Sequence, residues 1–370
     1  MYDVIVLGAG LSGLLTAYEL SRAGLQVLVV DRGALAREAS WAGGGILSPL
    51  YPWRYPDPIN ELACWSQRAY PQLVAALRER TAIDPEYEIS GLALFDAEER
   101  TAAGQWAARW GHHASVLADP ISQIANVSAA AYSTWVWFSN IAQVRNPRLC
   151  QALVKALDDE GVTLRPNTIP QLVIRQGRVI GIEAGSEHIS TRYVVVAAGA
   201  WTTELSHYLR NVVEIRPIKG QMLLYQAKPD LLRCIVLKGG HYLIPRRDGH
   251  ILVGSTVEEV GFDRTTTFEA HQKLSAFAQL IVPALEDSMI KRHWAGLRPA
   301  TADGLPFIGE HPQVSGLFVN AGHYRNGLVM GPASACLTAD LLLKRKPCLD
   351  PAPYELGRNA QGEQGKMDRV

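Results

Sequence analysis

The first part of the chain contains glycines with the spacing that binds a dinucleotide. An apolar run at 2–7 is followed by a glycine-rich turn and then by a helical stretch at 14–23. The first glycine of the turn permits a tight bend, the second lets the backbone approach a pyrophosphate, and the third lets the helix pack on the sheet. The free N–H groups at the start of the helix favour phosphate. The turn consists of Gly8, Ala9, Gly10, Leu11, Ser12 and Gly13.

An acidic and a basic residue follow directly after the next apolar run of the chain. Residues 26–30 form a second strand-like run, and Asp31 and Arg32 come directly after it. An acid at this place accepts hydrogen bonds from the ribose hydroxyls of a bound dinucleotide. The order of strand, turn, helix, strand and acid therefore predicts a dinucleotide site. A glycine-rich turn that only packs is the alternative.

A second candidate for chemistry is Arg298, which lies among apolar and small residues in the stretch 296–299. A guanidinium buried without a partner is costly, so an arginine in this setting needs an anion. The carboxylate of a substrate fits, because the planar guanidinium binds it through two parallel hydrogen bonds. An internal acid such as Asp303 is the alternative partner.

Composition and charge argue against several classes of function. The 370 residues carry 36 Lys and Arg against 36 Asp and Glu, so no basic footprint for nucleic acid or for an anionic membrane is present. No apolar stretch approaches the roughly 20 residues that span a bilayer, and the first residues show no pattern of a signal peptide. The five cysteines form no CxxC pair and the ten histidines no HExxH motif, which predicts a reducing cytosol and no metal site.

The apolar patterns predict an α/β fold, α+β overall, in which a Rossmann-like cofactor domain is interrupted by a mostly antiparallel substrate domain. Asp248-Gly249, between two alternating runs, predicts a hairpin. The predicted domains are a cofactor domain of residues 1–86, 145–215 and 302–350, a substrate domain of 87–144 and 216–301, and a flexible tail of 351–370. Helices are predicted at 59–80, 147–160, 268–280 and 327–343, and strands at 90–95, 161–164, 172–174, 179–182, 193–200, 220–225, 241–245, 250–256, 292–299 and 317–322.

Five segments, in this order along the chain, resemble those of the D-amino-acid oxidase superfamily of FAD-dependent oxidoreductases. They are GAGLSGL at 8–14, EASWAGGGILSP at 38–49, VVVAAGAWT at 194–202, WAGLRPATADGLPFIG at 294–309 and NAGHYRNGLVMGPASA at 320–335. The resemblance extends from residue 2 to about residue 343. It implies FAD, since NAD enzymes of this fold rarely have the later glycine-rich segments. No cysteine lies at 299–302, where related sarcosine oxidases attach their flavin, so noncovalent FAD is expected.

The resemblance also implies which residues contact FAD. The segment at 39–45 reaches the pyrophosphate and the ring edge, and the helix start at 323–328 points at the pyrimidine edge, where its dipole stabilises an anionic reduced flavin. Val173 matches a residue that packs near the adenine. For Val173 and for the strand end at 198–199, a role in packing alone stays open. The residues carried over are Ala39, Ser40, Ala42, Gly43, Gly44, Gly45, Val173, Ala198, Gly199, Trp201, His323, Arg325, Asn326, Gly327 and Leu328.

For the substrate, the resemblance implies a small amino acid whose carboxylate contacts Arg298 and the hydroxyl of Tyr242. Arg325 matches a second arginine near the substrate, or it holds only its loop. The implied substrates are glycine, sarcosine and small D-amino acids. Hydride passes from Cα to flavin N5, the imine is hydrolysed to an oxo acid and ammonia, and dioxygen is reduced to hydrogen peroxide. No catalytic acid or base is required, since the reacting amine need only be neutral.

The resemblance further implies a cytoplasmic homo-oligomer, a homotetramer in the family, that acts in the thiamin pathway and hands its imine to thiazole synthase. The aromatic residues Tyr51, Trp53 and Tyr55 either cap the site or pack at the surface or between subunits, and Val257 stands where the family has a methionine. A D-amino-acid dehydrogenase and a sarcosine-oxidase-like enzyme are alternatives. A tRNA-modifying flavoprotein and a catalytically silent assembly protein are disfavoured by the neutral charge and by the retained substrate residues.

Overall fold

The computed structural model describes residues 2–117, 135–205, 207–210 and 212–358, which form two sheets of eight strands each. The strands are β1 (Tyr2–Leu7), β2 (Val27–Val30), β3 (Leu92–Leu94), β4 (Ala114–Leu117), β5 (Trp135–Phe138), β6 (Thr163–Arg165), β7 (Pro170–Arg175), β8 (Arg178–Ala184), β9 (Glu187–Val196), β10 (Arg216–Gln226), β11 (Ile235–Lys238), β12 (His241–Pro245), β13 (His250–Gly254), β14 (Met289–Ala300), β15 (Phe307–Glu310) and β16 (Leu317–Ala321). The helices are α1 (Leu11–Arg22), α2 (Ala39–Ala42), α3 (Asp57–Thr81), α4 (Arg100–Trp110), α5 (Asn146–Asp159), α6 (His207–Arg210), α7 (Phe268–Ile281) and α8 (Gly327–Leu342). The predicted α/β class is confirmed.

The first sheet contains the strand that precedes the glycine-rich turn. Its strands lie in the order β15, β16, β9, β1, β2, β6, and β8 joins β7 to β9 by antiparallel pairing. β1 pairs in parallel with β2 and with β9. Residues Val4–Leu7 are buried, as expected of an apolar run in a parallel sheet that is covered on both faces. Parallel pairing brings the carboxyl ends of β1 and β2 to one edge, where ligands of such sheets bind.

Four helices, α1, α3, α5 and α8, supply apolar side chains to one core with this sheet. Helix α8 is apolar nearly all round, which is typical of a buried helix, and it contacts both α1 and α3. Tyr70 of α3 donates a hydrogen bond of 2.6 Å to the carbonyl of Leu328. The start of α8 is therefore held in place by a neighbouring helix.

The second sheet has the order β14, β10, β13, β12, β11, β3, β5, β4 and is antiparallel except where β11 pairs with β3. The hairpin of β12 and β13 forms at the predicted dipeptide, with Gly249 at φ +84°. β10 and β14 begin earlier than predicted, at Arg216 and Met289, because they pair with each other along their whole length. This long ladder carries Arg298.

The strands of each sheet come from separate parts of the chain. Those of the first sheet lie before residue 31, at 163–196 and at 307–321, and those of the second lie at 92–117, 135–138 and 216–300. The exact domain boundaries stay a prediction. Among the described residues, no helix is long and apolar enough to cross a membrane.

The segment after α8 packs against the protein, so the prediction of a flexible tail is wrong for residues 351–358. Tyr354 is fully buried, and its hydroxyl donates a hydrogen bond of 2.8 Å to the carbonyl of Pro58. Arg358 forms an ion pair of 2.9 Å with Asp303. The polar composition of the segment concealed these anchors, because one buried ring and one paired cation suffice to hold it. The rest of the predicted tail, 359–370, lies outside the described residues.

Candidate active site

A large cavity lies where the first sheet meets the second. Its empty space, counted out to open solvent, is about 1670 Å³, and residues of both sheets line it. The lining runs from the glycine-rich turn at Gly8 to Arg298, so the dinucleotide turn and the candidate substrate arginine face one cavity. The predicted residues that line it are Gly8, Gly10, Leu11, Ser12, Asp31, Arg32, Ala39, Ser40, Ala42, Gly43, Gly44, Gly45, Ala198, Gly199, Trp201, Tyr242, Arg298, His323, Arg325, Gly327 and Leu328.

Four predicted site residues do not line the cavity. Ala9 and Gly13 belong to the turn but act through its backbone packing, and Asn326 is buried beside the start of α8. Of strand β7, the structure places Pro170 rather than Val173 on the cavity wall. The residues of a strand alternate between its two faces, so the side chains of Pro170 and Val173 lie on opposite faces of β7. The contact of Val173 with adenine stays a prediction.

Close backbone contacts shape the glycine-rich turn. Gly8 has φ +109°, and a Cβ there would lie 2.4 Å from the carbonyl oxygen of Ala197. The two carboxylate oxygens of Asp31 accept hydrogen bonds from the N–H groups of Ala9, at 2.7 Å, and Gly33, at 2.8 Å. Asp31 is thus anchored to the turn, and its remaining lone pairs can accept hydrogen bonds from ribose.

The second glycine-rich segment, residues 43–45, is held beside this turn by two side chains. The Oγ of Ser40 accepts a hydrogen bond of 2.7 Å from the N–H of Leu11, at the start of α1. The guanidinium of Arg246 donates a hydrogen bond of 2.6 Å to the carbonyl of Gly44. Burial lowers the pKa of Arg246 to about 10, so its charge persists at neutral pH. Arg246 belongs to no local motif, and only this tertiary contact reveals its role.

An aromatic stack borders the cavity near the end of β2. The guanidinium of Arg32 lies 3.9 Å from the ring centroid of Trp201, a cation–π contact. The ring of Phe262 stacks on the same indole at 5.6 Å. Arg264 pairs with Glu38 at 2.8 Å. The segment between β13 and α7, which carries Phe262 and Arg264, therefore contacts two residues of the cavity wall.

The guanidinium of Arg298 has neutral hydrogen-bond partners. Its Nη1 donates to the carbonyls of Lys219, at 3.3 Å, and Thr256, at 3.1 Å, and its Nη2 donates to the hydroxyl of Ser255 at 2.7 Å. A Cβ on Gly220 would lie 2.1 Å from Nη2, so the guanidinium fills the space above this glycine. Because a guanidinium has five N–H donors, some remain for a ligand in the cavity.

The described residues supply no acid for Arg298. Asp303, the alternative partner, pairs with Arg358 instead, and none of the ion pairs formed by the described residues includes Arg298. Burial, and next the charge of Arg325, lower the pKa of Arg298. The guanidinium of Arg298, buried without an acid among the described residues and beside a second arginine, favours the binding of an anion.

Tyr242 and Met222 contact each other on the cavity wall. The Tyr242 hydroxyl lies 3.8 Å from the Sδ of Met222. The Tyr242 ring is close to Gly44 and Gly254, where a Cβ would lie 3.0 Å and 2.7 Å from ring carbons. Val257 is 48 % exposed and does not line the cavity. A methionine does line the cavity beside Tyr242, but it is Met222. It is distant in sequence from position 257, where the resemblance suggested a methionine.

The three aromatic residues of the loop at 51–55 have different surroundings. Tyr51 is buried, and Trp53 packs edge-on against Trp106 at 6.3 Å between ring centroids. Burial raises the pKa of Tyr55, whereas the charge of Arg325 lowers it. Tyr51 and Trp53 thus pack in the core on the second sheet, and Tyr55 is the member of the loop that lies near the arginines of the cavity.

The wall near the start of α8 carries an unsatisfied histidine. His323 is buried, and burial lowers its pKa to about 4, so the ring is neutral near pH 7. Its Nε2 has no hydrogen-bond partner within the described part of the chain. Gly327 and Leu328, the first residues of α8, line the cavity beside it. An orphaned ring nitrogen and the N–H groups of a helix start fit the polar edge of a flavin.

The parallel sheet with its dinucleotide turn, the second sheet and the uncompensated charge of Arg298 define an oxidoreductase that holds a dinucleotide cofactor beside an anionic substrate. The family model described as FAD dependent oxidoreductase (DAO) matches residues 3–341. The chain therefore belongs to the FAD dependent oxidoreductase family, and its cofactor is FAD.

Individual relatives match over nearly the whole chain. A glycine oxidase of Pseudomonas aeruginosa is 47% identical over 95% of this chain and 97% of that protein. The bifunctional protein ThiO/ThiG of Nostoc sp. is 31% identical over 93% of this chain and 53% of that protein. The crystal structure of glycine oxidase from Geobacillus kaustophilus has a TM-score of 0.91 at 29% identity, over 97% of this chain and 99% of that chain.

Proposed function

We propose that this chain catalyses the oxidative deamination of glycine, and of other small amines such as sarcosine and small D-amino acids. The products are glyoxylate or the matching oxo acid, hydrogen peroxide, and ammonia, or methylamine where sarcosine is the substrate. The observation that carries the proposal is Arg298, which lines the cofactor cavity and has no acidic partner among the described residues. The 47% identity to a protein named glycine oxidase supports this choice of substrate.

In this proposal the chain binds and orients the amino acid. Arg298 binds the carboxylate, the Tyr242 hydroxyl donates a hydrogen bond to it, and Arg325 adds a second positive charge. FAD, when bound, accepts hydride and passes the electrons to dioxygen. Asp31 and Glu38 are the acids among the described lining residues, and both lie at the dinucleotide end. No side chain is therefore assigned as a catalytic base, and orientation of the substrate is the contribution of the protein.

The size of the substrate follows from the side chains around the two arginines. In this proposal Met222 and Tyr242, which line the cavity, and Tyr55, which lies near its arginines, limit the size of the substrate and favour glycine and sarcosine over larger amino acids. FAD is held without a covalent bond in this proposal, since all five cysteines are free thiols and none lines the cavity. Acid precipitation should accordingly release the flavin into the supernatant.

The setting that we propose is the thiamin pathway in the cytoplasm, with transfer of the imine product to thiazole synthase. Support comes from the relative named bifunctional protein ThiO/ThiG, in which the matching region is about half of a longer protein. A homo-oligomer remains a prediction, which sedimentation velocity of the holoenzyme tests. Transfer predicts that added thiazole synthase lowers the release of free glyoxylate.

Anaerobic mixing of the purified holoenzyme with glycine is the test of the proposed reaction. Glycine should bleach the flavin absorbance, and air should restore it with release of hydrogen peroxide. If D-alanine bleached the flavin and neither glycine nor sarcosine did, the substrates would be small D-amino acids and the assignment of glycine would be wrong. Bleaching that air does not reverse, but that a quinone does, would indicate a dehydrogenase.

A further inference from the structure

Two cysteines that the sequence separates come together with a carboxylate at the far end of α8. Cys336 and Asp340 lie one helical turn apart, and Cys348 follows the helix. One ligand atom from each of the three lies within 4.8 Å of the others. Among the described residues this is the one cluster of that kind, and none of its members lines the FAD cavity.

The spacing of these atoms suits a tetrahedral metal ion. Zinc–sulfur bonds of about 2.3 Å and zinc–oxygen bonds of about 2.0 Å place neighbouring ligand atoms of a tetrahedron about 3.5–3.8 Å apart. The Sγ of Cys336 lies 3.7 Å from the Oδ2 of Asp340. The N–H of Cys348 donates a hydrogen bond of 3.0 Å to the same Oδ2, and the Sγ of Cys348 lies 3.9 Å from the carbonyl oxygen of Ala333. The three ligand atoms therefore lie within reach of one ion, which small side-chain movements would bring to bonding distance.

The charge of a second carboxylate, outside the cluster, acts on its members. Burial raises the pKa of Glu19 on α1, and the charge of Asp340 raises it further, while Arg22 and Arg345 act in the opposite direction. The charge of Glu19 also contributes to the raised pKa of Cys336, whose main cause is its hydrogen bond to Cys348. Neither acid is part of an ion pair formed by the described residues. One carboxylate and two thiols are thus concentrated in one half-buried place, and the charge of Glu19 makes it more favourable for a cation.

We propose that Cys336, Asp340 and Cys348 bind a thiophilic divalent cation of the zinc class, with a water molecule as the fourth ligand. Two sulfur ligands select zinc over magnesium and calcium, which take oxygen ligands. A disulfide between the two cysteines is the competing chemistry. It would leave the charge of Asp340 without a cation among the described ion pairs, whereas a bound cation neutralises it.

The bound cation has a structural consequence. It joins the last turns of α8 to the segment that follows, and this segment continues to Tyr354 and Arg358, which anchor it to the body of the protein. Since a metal that binds only the folded state stabilises it, Zn²⁺ should raise Tm. The absorbance of bound FAD should not change, because the cluster lies outside the cavity.

The experiment uses tag-free holoenzyme that has been reduced, treated with a chelator and then dialysed with Zn²⁺. Mass spectrometry of the metal should find about one Zn²⁺ per chain, and Tm should rise with added Zn²⁺. Changes of groups that only orient a ligand already weaken metal binding by about 10–100-fold. Cys336→Ser, Cys348→Ser and Asp340→Asn should therefore each weaken Zn²⁺ binding at least tenfold in calorimetric titration.

The matched control is Cys64→Ser, which removes a buried thiol of α3 outside the cluster and should retain full Zn²⁺ binding. The flavin spectrum reports whether each variant has folded. Absence of Zn²⁺ from reduced wild-type protein would overturn the proposal, as would a peptide map in which Cys336 and Cys348 form a disulfide and fail to take up Zn²⁺ after reduction. Equal Zn²⁺ binding by the Cys348→Ser variant would also overturn it.

Discussion

Arg298 carries a positive charge that no acid among the described residues neutralises, and its replacement tests the role of that charge. Arg298→Met should lower kcat/KM for glycine by about 30-fold or more, because loss of one member of a buried charge pair costs about 2–5 kcal/mol. Arg298→Lys should recover only part of the activity, since an ammonium group cannot match the planar fork of a guanidinium. Peroxide production under steady-state conditions measures both effects.

The control for Arg298 is Arg165→Lys, which alters an exposed ion pair with Glu187 on the first sheet. It should leave kcat/KM unchanged. If Arg298→Met bound FAD normally and also kept its full kcat/KM, the carboxylate would have to bind elsewhere in the cavity.

Tyr242 tests the second contact to the carboxylate. Tyr242→Phe removes only the hydroxyl, and a hydrogen bond to a charged group contributes about 1.5–3 kcal/mol, so KM for glycine should rise about tenfold or more. Tyr225→Phe is the matched control, because Tyr225 is a buried tyrosine of β10 in the core outside the cavity. Similar KM values for the two variants would remove Tyr242 from the substrate site.

The pH dependence of the reaction follows from the groups that line the cavity. With a pKa of about 4, His323 stays neutral at and above pH 6, so its protonation does not contribute to the pH dependence of kcat/KM in that range. The substrate amine must be neutral to react, and kcat/KM should therefore rise between about pH 6 and pH 10 as the amine loses its proton. The rise should persist in His323→Asn. A flat profile for the wild-type protein would argue against reaction of the free amine.

The residues that the sequence made recognisable share one property: their role depends on neighbours in the chain. The turn around Gly8 and the small residues around Arg298 are local patterns, and the structure places both on the wall of the cavity. Arg246 and Met222 have no such pattern, because their partners, Gly44 and Tyr242, lie far away in the sequence. A tertiary contact between single residues cannot be inferred from one sequence.

At the scale of elements, the pairing of β10 with β14 positions the substrate arginine, and Gly220 of β10 provides its space. Gly220→Ala would place a Cβ 2.1 Å from the Arg298 guanidinium, which must then move. We expect kcat/KM to fall about tenfold or more, as for other losses of a charged hydrogen bond, while FAD binding and Tm change little. Flavin absorbance, Tm and peroxide production measured together distinguish these effects.

Gly104→Ala controls for the general effect of replacing glycine, since a Cβ at this position in α4 meets nothing within 4 Å. If Gly104→Ala keeps full activity and Gly220→Ala loses activity, the loss is due to displacement of the Arg298 guanidinium. A fall in Tm without a fall in kcat/KM for Gly220→Ala would contradict this expectation. It would mean that the backbone of β10 had moved and that the Arg298 guanidinium had kept its position.

The elements themselves were largely predictable, and the exceptions have physical causes. Apolar periodicity predicted α3 and α7 within a few residues, because their buried faces determine their length. β10 and β14 extend further than their apolar runs, because each continues as long as the other supplies hydrogen bonds. The cluster of Cys336 and Cys348 was missed because a helix and the segment after it bring the two thiols together, which no CxxC spacing reveals.

At the scale of the whole molecule, the active site exists because two sheets meet. The first sheet contributes Asp31 and the second contributes Arg298, and both line one cavity. Strand patterns predicted each sheet, but nothing in one sequence specifies how closely two sheets approach. The volume that remains for FAD and substrate could therefore be learned only from the structure.

Tyr354 tests how the C-terminal segment contributes to the stability of the whole protein. Tyr354→Ala should reduce the free energy of unfolding by about 3–5 kcal/mol, the usual effect of removing a buried aromatic ring, and lower Tm by about 5 °C or more. Tyr354→Phe keeps the ring and loses only the hydrogen bond to Pro58, so it should lose about 1 kcal/mol. Thermal unfolding followed by flavin fluorescence compares the two variants. Equal Tm values for Tyr354→Ala and the wild-type protein would show that residues 351–358 are as dispensable as a flexible tail.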